Sequence, residues 1–142
     1  MIRAFLDASA LFSGIRSASG ATRELFKWHL RGELQLIVSA YAVDECIRNL
    51  AEDFPDRVGA VEIVLDFLQP EEVNPTPDEV RQVAKYTTAK DAPIVAAALK
   101  AECSHLLTFD RKDLIDPPHV AKQSGLIILT PGDLLQQLRT DA

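Results

Sequence analysis

Short apolar runs spaced between longer helical stretches set the strongest limit on how these 142 residues can fold. The runs are "IRAFL" (2–6), "LQLIV" (34–38), "HLLTF" (105–109) and "LIIL" (126–129). Brief runs without polar alternation read as strands covered on both faces, which is the condition of a parallel sheet. The stretches between them repeat their apolar residues at helical spacing. In "SGATRELFKWHLRG", Leu25 and Trp28, with Phe26 and His29 beside them, form a broad face that stops at Gly32. Ser39 offers an N-cap for "AYAVDECIRNLAE", whose stripe is Val43, Cys46, Ile47 and Leu50. A helix over Arg57–Leu68 follows Pro55, and "QPEEVNPTP" reads as an exposed connection with a short edge strand around Glu72 and Val73. Helices are expected over Asp78–Tyr86 and Ala92–Glu102, with "TPGD" as a turn into a last helix, "LLQQLR". Strands alternating with helices predict an α/β fold, with three α/β/α layers around a parallel sheet, in one domain spanning residues 1–142.

Composition fits that frame. Hydrophobic residues make up 47% and charged residues 25%, the proportions of an ordinary globular protein. No apolar stretch approaches the roughly 18–20 residues that cross a bilayer, so no membrane association is expected. The apolar run before Asp7 is too short for a signal peptide. Cys46 and Cys103 stand alone, and His29, His105 and His119 form no zinc pattern with them. Reduced thiols in a cytoplasmic protein are the expectation. The net charge of −6 is concentrated between Ala51 and Val80, where nine acids face one base, Arg57. A solvated acidic helix pair explains that run. Outside it the balance is mildly basic, with Arg16, Arg23, Lys27, Arg31 and Arg48 in the first third of the chain.

Open parallel sheets carry their sites just past the C-terminal ends of the strands, where strand order reverses. Asp7 follows "IRAFL" and Asp110 follows "HLLTF". A strand end holds a side chain with little freedom, which suits a metal ligand. Adjacent carboxylates repel and raise one another's pKa, and Mg²⁺ or Mn²⁺, which prefer oxygen ligands, would relieve that repulsion. Capping competes with this reading. Asp7 and Asp110 can cap the helix or turn behind them, and Asp91 in "KDAPIV", with Pro93 in the first turn, is a stronger cap candidate still. Glu45 lies off the apolar stripe of its helix and fits a solvated face, as do Asp44 and Asp113. Ser9 and Thr108 fit local turns.

The order of four segments goes further than any single acid. "FLDASALFSGI", "IVSAYAVDECIRNL", "KDAPIVAAALKAECSHLLTFDRKDL" and "LIILTPGDLLQQL" together resemble the PIN-domain nucleases, especially the bacterial group that includes VapC-like toxins of toxin–antitoxin pairs. The resemblance spans nearly the whole chain and is weakest between Glu52 and Lys90. Its specific features are the strand–Asp–x–Ser start, Ser39 six residues before Glu45, and Asp91 nineteen before Asp110.

The resemblance implies a five-stranded parallel sheet and places the family's four acids on Asp7, Glu45, Asp91 and Asp110. It implies that Asp7, Asp91 and Asp110 coordinate Mg²⁺ or Mn²⁺, with Glu45 completing the pocket directly or through water. Ser9 matches the small polar residue after the first acid, Thr108 the hydroxyl before the fourth, and Asp113 a supporting acid. The implied activity is metal-dependent hydrolysis of RNA phosphodiesters, with a small antitoxin and a second copy of the chain as further partners. Arg16, Arg23 and Arg48 are candidate contacts for the RNA backbone, set against plain solvent exposure. Two alternatives stay open. One is a catalytically weak PIN-like interaction module whose acids are mostly caps. The other is a phosphatase using Asp7 as nucleophile, although Ser9 stands where such enzymes place a second aspartate.

Overall fold

In the computed structural model, which describes residues 1–141, five strands form one sheet: β1 (Arg3–Leu6), β2 (Gln35–Val38), β3 (Glu71–Glu72), β4 (His105–Leu107) and β5 (Ile127–Leu129). They run parallel in the order β3–β2–β1–β4–β5. The helices are α1 (Ala8–Arg16), α2 (Ala21–Leu30), α3 (Ala40–Asp53), α4 (Val58–Leu68), α5 (Pro77–Val83), α6 (Ala92–Lys100), α7 (Pro118–Ser124) and α8 (Pro131–Asp141). A 3₁₀ turn, Pro55–Arg57, precedes α4, and a single π-helical turn, Arg111–Ile115, follows β4.

The period of two along each strand divides the core. Ala4 and Leu6 of β1, Leu36 and Val38 of β2, and Leu107 of β4 pack with Leu11, Ile15, Leu25, Phe26, Val61 and Leu134 on one face. The alternate residues Phe5, Ile37 and Leu106 pack on the other face with Ile94 and Val95 of α6, Leu114 and Val120. Phe5 is fully buried, which is worth about 2 kcal/mol or more in apolar transfer alone. Strand β3 is short, exposed and doubly acidic, features that discourage another chain from pairing with that edge. Arg3 ties the N-terminal edge together: its guanidinium donates to Gln35 Oε1 (2.7 Å), Glu71 Oε2 (2.6 Å) and the Ala101 carbonyl (2.8 and 3.0 Å).

Local chemistry fixes several helix starts. Ser39 caps α3 by accepting from the Ala42 N–H, and Thr76 and Glu79 form a reciprocal capping box at α5. Helix α1 packs on α2 at Gly14, where a Cβ would lie 2.5 Å from Phe26 Cζ. Glycine is needed there for close approach. Arg23 of α2 donates from Nε (2.9 Å) and Nη2 (2.6 Å) to the Gly14 carbonyl, closing the same junction.

Some boundaries differ from the sequence expectations. Residues after Asp7 form α1, a helix given no place by the apolar-run reading. The helix expected over Asp78–Tyr86 starts at Pro77, because the capping box lies further upstream, and ends at Val83 in turns. The helix expected to reach Glu102 stops at Lys100, and Glu102 takes a left-handed φ of 56°. "TPGD" is the start of α8 rather than a turn before it: Thr130 accepts from the Asp133 N–H, and Pro131 occupies the first turn, where its missing N–H costs nothing. The π turn and α7 have short, proline-interrupted patterns that sequence periodicity passes over.

Candidate active site

The order in which strands are added to the parallel sheet reverses at β1, whose neighbours are β2 on one side and β4 on the other. Asp7 stands at that split, its N–H bonded to the Leu107 carbonyl (3.1 Å). Its Oδ1 accepts from the Ala10 N–H (2.9 Å) and the Ser9 hydroxyl (2.7 Å), so Asp7 caps α1. The Ser9 oxygen in turn accepts from the Phe109 N–H (3.0 Å), joining the ends of β1 and β4 through one hydroxyl. Asp110 is placed the same way. Its N–H donates to the buried Thr108 hydroxyl (2.9 Å), and its Oδ1 caps the π turn through the Asp113 N–H (3.1 Å). Capping and a role in the pocket are therefore not alternatives for these two acids, since each caps through Oδ1.

Asp91 departs from the capping expectation. It occupies the N-cap position of α6 in a helical conformation (φ −91°, ψ −16°) and makes no side-chain cap bond. A cap side chain typically reaches back over the helix from extended, non-helical backbone. Instead Asp91 Oδ2 accepts from the Thr88 hydroxyl (3.0 Å), and the Asp91 N–H donates to that same hydroxyl oxygen (3.2 Å). On α3, Glu45 turns inward while Asp44 is exposed.

Together these elements line an open pocket of about 330 Å³ at the C-terminal edge of the sheet, with Asp7, Ser9, Glu45, Asp91, Asp110 and Asp113 in its wall. Asp91, Asp110 and Asp113 each offer an oxygen, and these lie within 4.8 Å of one another. The resemblance had put Asp7 with Asp91 and Asp110 in the ligand set and Asp113 in support; the tightest group contains Asp113, carried inward by the π turn, while Asp7 lines the same pocket. Thr108 lies behind the wall, fully buried.

Charge accumulates here. Burial raises the Asp7 carboxyl above its ordinary value, opposed by hydrogen bonds from Thr108, Ser9 and Ala10, while Glu45 raises it further. Burial likewise raises Asp91, opposed by Thr88 and Lys90 and reinforced by Asp110 and Asp113. Lys90 brings an ammonium 3.8 Å from Asp110 Oδ2 and 4.0 Å from Asp91 Oδ1. Burial works against that charge, but Asp91, Asp110, Glu45 and Asp113 hold its pKa up. Five carboxylates around one ammonium favour a further cation. An all-oxygen donor set fits a hard divalent ion such as Mg²⁺ or Mn²⁺ better than a soft one. The nearby Cys46 thiol does not change this: burial, with Asp7 and Glu45, pushes it up to about 12. Cys103 is pushed to about 11 by burial. Both thiols are expected to resist iodoacetamide at neutral pH in the folded protein and to react only after unfolding, as mass spectrometry of alkylated protein would show.

Asn49, Lys90 and Phe109 also line the pocket, and sequence reasoning missed them. Asn49 is four residues after Glu45 on α3, so helical spacing alone places it on the same face. The three candidate arginines separate. Arg16 lines a neighbouring groove, its guanidinium 5.6 Å from the centre of the Phe54 ring. Arg23 holds Gly14 and lines an apolar groove between α2 and α4, away from the acids. Arg48 is exposed on α3 and lies outside the pocket wall.

Residues 3–112 match the family model of the PIN domain. The chain is a member of the PIN-domain family. Solved structures share the fold of this PIN domain across most of their length. VapBC2 from Rickettsia felis, bound to a DNA fragment from its promoter, has a TM-score of 0.62 at 11% identity, covering 89% of this chain and 97% of that one. VapBC-1 from nontypeable Haemophilus influenzae gives 0.61 at 12%, with 92% and 99% covered. VapC20 of Mycobacterium tuberculosis, a toxin that cleaves the Sarcin-Ricin loop, gives 0.53 at 16%, with 77% and 91% covered. No curated protein sequence matches. Among the described residues, no helix is long and apolar enough to cross a membrane.

Proposed function

We propose that this PIN domain is a metal-dependent endoribonuclease, and that it acts as the toxin of a toxin–antitoxin pair. The observation that carries the reading is the acid pocket at the sheet reversal, where Asp91, Asp110 and Asp113 gather beside Asp7 and Glu45. Asp91, Asp110 and Asp113, with Asp7, are the residues to hold Mg²⁺ or Mn²⁺. A divalent ion there would activate water for attack and offset charge on the phosphate. Glu45 extends the acid wall from α3. Ser9 and Thr108 act as positioning residues, because their hydroxyls fix Asp7, Phe109 and Asp110. Lys90 balances part of the charge and stands where it can meet a substrate phosphate.

Similarity in fold to VapC20, a Sarcin-Ricin loop cleaving toxin, supports RNA as substrate. Similarity to VapBC pairs supports a protein partner, an antitoxin or a second copy. So does the outer face of α4, where Ile63 and Phe67 are 71% and 72% exposed.

The test is cleavage of end-labelled RNAs with Mg²⁺, Mn²⁺ or EDTA, beside Asp7→Asn. Asparagine retains the oxygen that caps α1 and loses only the charge. Cleavage should require metal, disappear in the variant, and leave a 5′-phosphate on the downstream fragment. A 2′,3′-cyclic phosphate would overturn water as nucleophile. Metal-independent folding without cleavage of any RNA would favour the interaction-module reading, which the capping bonds of Asp7 and Asp110 independently accommodate.

A further inference from the structure

Lys90 precedes Asp91 in the turn that leads into α6, and its ammonium lies 4.0 Å from Asp91 Oδ1 and 3.8 Å from Asp110 Oδ2. Asp91 and Asp110 belong, with Asp113, to the group whose oxygens fall within 4.8 Å of one another. The ammonium therefore faces two of the three acids that a divalent ion would bridge. Both separations exceed hydrogen-bonding distance, so charge alone holds the ammonium there. Glu45 and Asp113, in the same pocket wall, add to the attraction. The backbone beneath is fixed and the side chain is not. The Tyr41 hydroxyl of α3 donates to the Lys90 carbonyl (3.1 Å), and the Asp91 N–H donates to the Thr88 carbonyl (3.1 Å). The Lys90 side chain is 60% exposed and that of Asp91 is 7% exposed. A flexible four-carbon stem with its end in water swings aside at small cost, whereas a carboxylate that buried cannot follow it.

We propose, resting on the reading of these acids as a metal site, that Lys90 is a built-in competitor for that site. Its ammonium offsets the charge of Asp91 and Asp110, and a divalent cation displaces it toward solvent. Two positive charges cannot share the same carboxylate oxygens without repulsion, and the doubly charged ion, with oxygens as direct ligands, gains more from them. Lys90 thus stabilises the acids in chelator and lowers the affinity of the pocket for its cation. It sets the divalent concentration at which the pocket fills.

The experiment is calorimetric titration of the full chain with Mn²⁺, comparing wild type, Lys90→Met and Lys90→Arg. Methionine keeps much of the stem and removes the charge. Lys90→Met should bind Mn²⁺ about 5-fold more tightly, as expected for releasing two weak, solvent-screened ion pairs, while Lys90→Arg stays near wild type. In EDTA, Lys90→Met should melt roughly 2–4 °C lower, because the acids lose their counter-charge. That melting transition also shows that the variant is folded. Displacement itself is read by acetylating the protein with sulfo-NHS-acetate and following the Lys90 peptide by mass spectrometry. Saturating Mn²⁺ should speed its labelling. Equal or weaker Mn²⁺ binding in Lys90→Met, or labelling that Mn²⁺ slows or leaves unchanged, would overturn the competition and leave the metal site intact. Mn²⁺ binding by neither protein would overturn both. Tighter Mn²⁺ binding in Lys90→Met, with no RNA cleaved by wild type, would uphold the competition and remove the nuclease.

Discussion

On the proposed function, Asp91→Asn should cleave RNA about 100-fold more slowly than wild type or worse, and in EDTA it should melt roughly 2–4 °C higher. The two effects share one cause. Asp91 is 5% exposed and faces Asp110 and Asp113, so its charge is costly to the metal-free fold and necessary to a cation. The amide keeps an oxygen for the Thr88 hydroxyl and sacrifices no cap, since Asp91 makes none. A pH profile carries the same sign. Burial raises Asp7 and Asp91 above the ordinary 3.8, so across the window above that value the folded chain holds protons that the unfolded chain releases. Their contribution to metal-free stability is therefore full below the unfolded value and is lost as pH rises through the folded values. Wild type in EDTA should lose stability from this source as pH rises above the ordinary carboxylate value, Asp91→Asn less so, and Mn²⁺ should restore it. Differential scanning calorimetry with and without metal checks the profile. A variant as active as wild type, or one that melts lower in EDTA, would remove Asp91 from the site.

Gly14→Val should be the most damaging single change away from the acids. A Cβ at Gly14 would sit 2.5 Å and 2.9 Å from atoms of the buried Phe26 ring and 2.8 Å from Thr22 Cγ2, closer than real Cβ contacts come. Replacing a helical glycine usually helps by up to about 1 kcal/mol, but overpacking costs about 1–3 kcal/mol, and a β-branched residue has little χ1 freedom with which to escape. The clash wins. A net loss of about 2 kcal/mol, or a Tm lower by roughly 4–8 °C, is expected in urea and thermal unfolding. Phe26→Leu should recover part of that loss in the double variant, since the two residues are in direct contact. Because α1 also carries Ser9, the same displacement should lower cleavage. Wild-type stability in Gly14→Val would mean that α1 and α2 do not meet this closely.

The sheet was legible because each central strand is an uncharged or nearly uncharged run with its neighbours on both faces, and even the acidic edge strand around Glu72 could be anticipated from its flanking prolines. Helix α1 was not, because "ASALFSGIR" mixes small residues with a glycine whose purpose, room for Phe26, lies in tertiary contact. The family resemblance placed Asp7, Glu45, Asp91 and Asp110 as candidates, and all four line one pocket in the structure. What pattern could not supply was the direction of each side chain. Asp91 looked like a cap because Pro93 follows it, yet its backbone angles point the carboxylate elsewhere. Asp113 looked peripheral because a three-residue offset from Asp110 has no fixed meaning until the π turn gives it one. Lys90 went unremarked as an ordinary lysine, and only three dimensions show it between two aspartates.

The hydroxyl of Ser9 bonds a backbone group a hundred residues further along the chain, and β1 finds its partner β4 only after most of the protein exists. During synthesis the amino-terminal half emerges while Asp91, Asp110 and Asp113 have yet to be joined to it. A nascent or truncated fragment therefore carries isolated carboxylates and no shared cation site. The three-acid group needs α6, β4 and the turn through Ile115, so any activity that depends on the cluster requires most of the chain to be made and joined to β1.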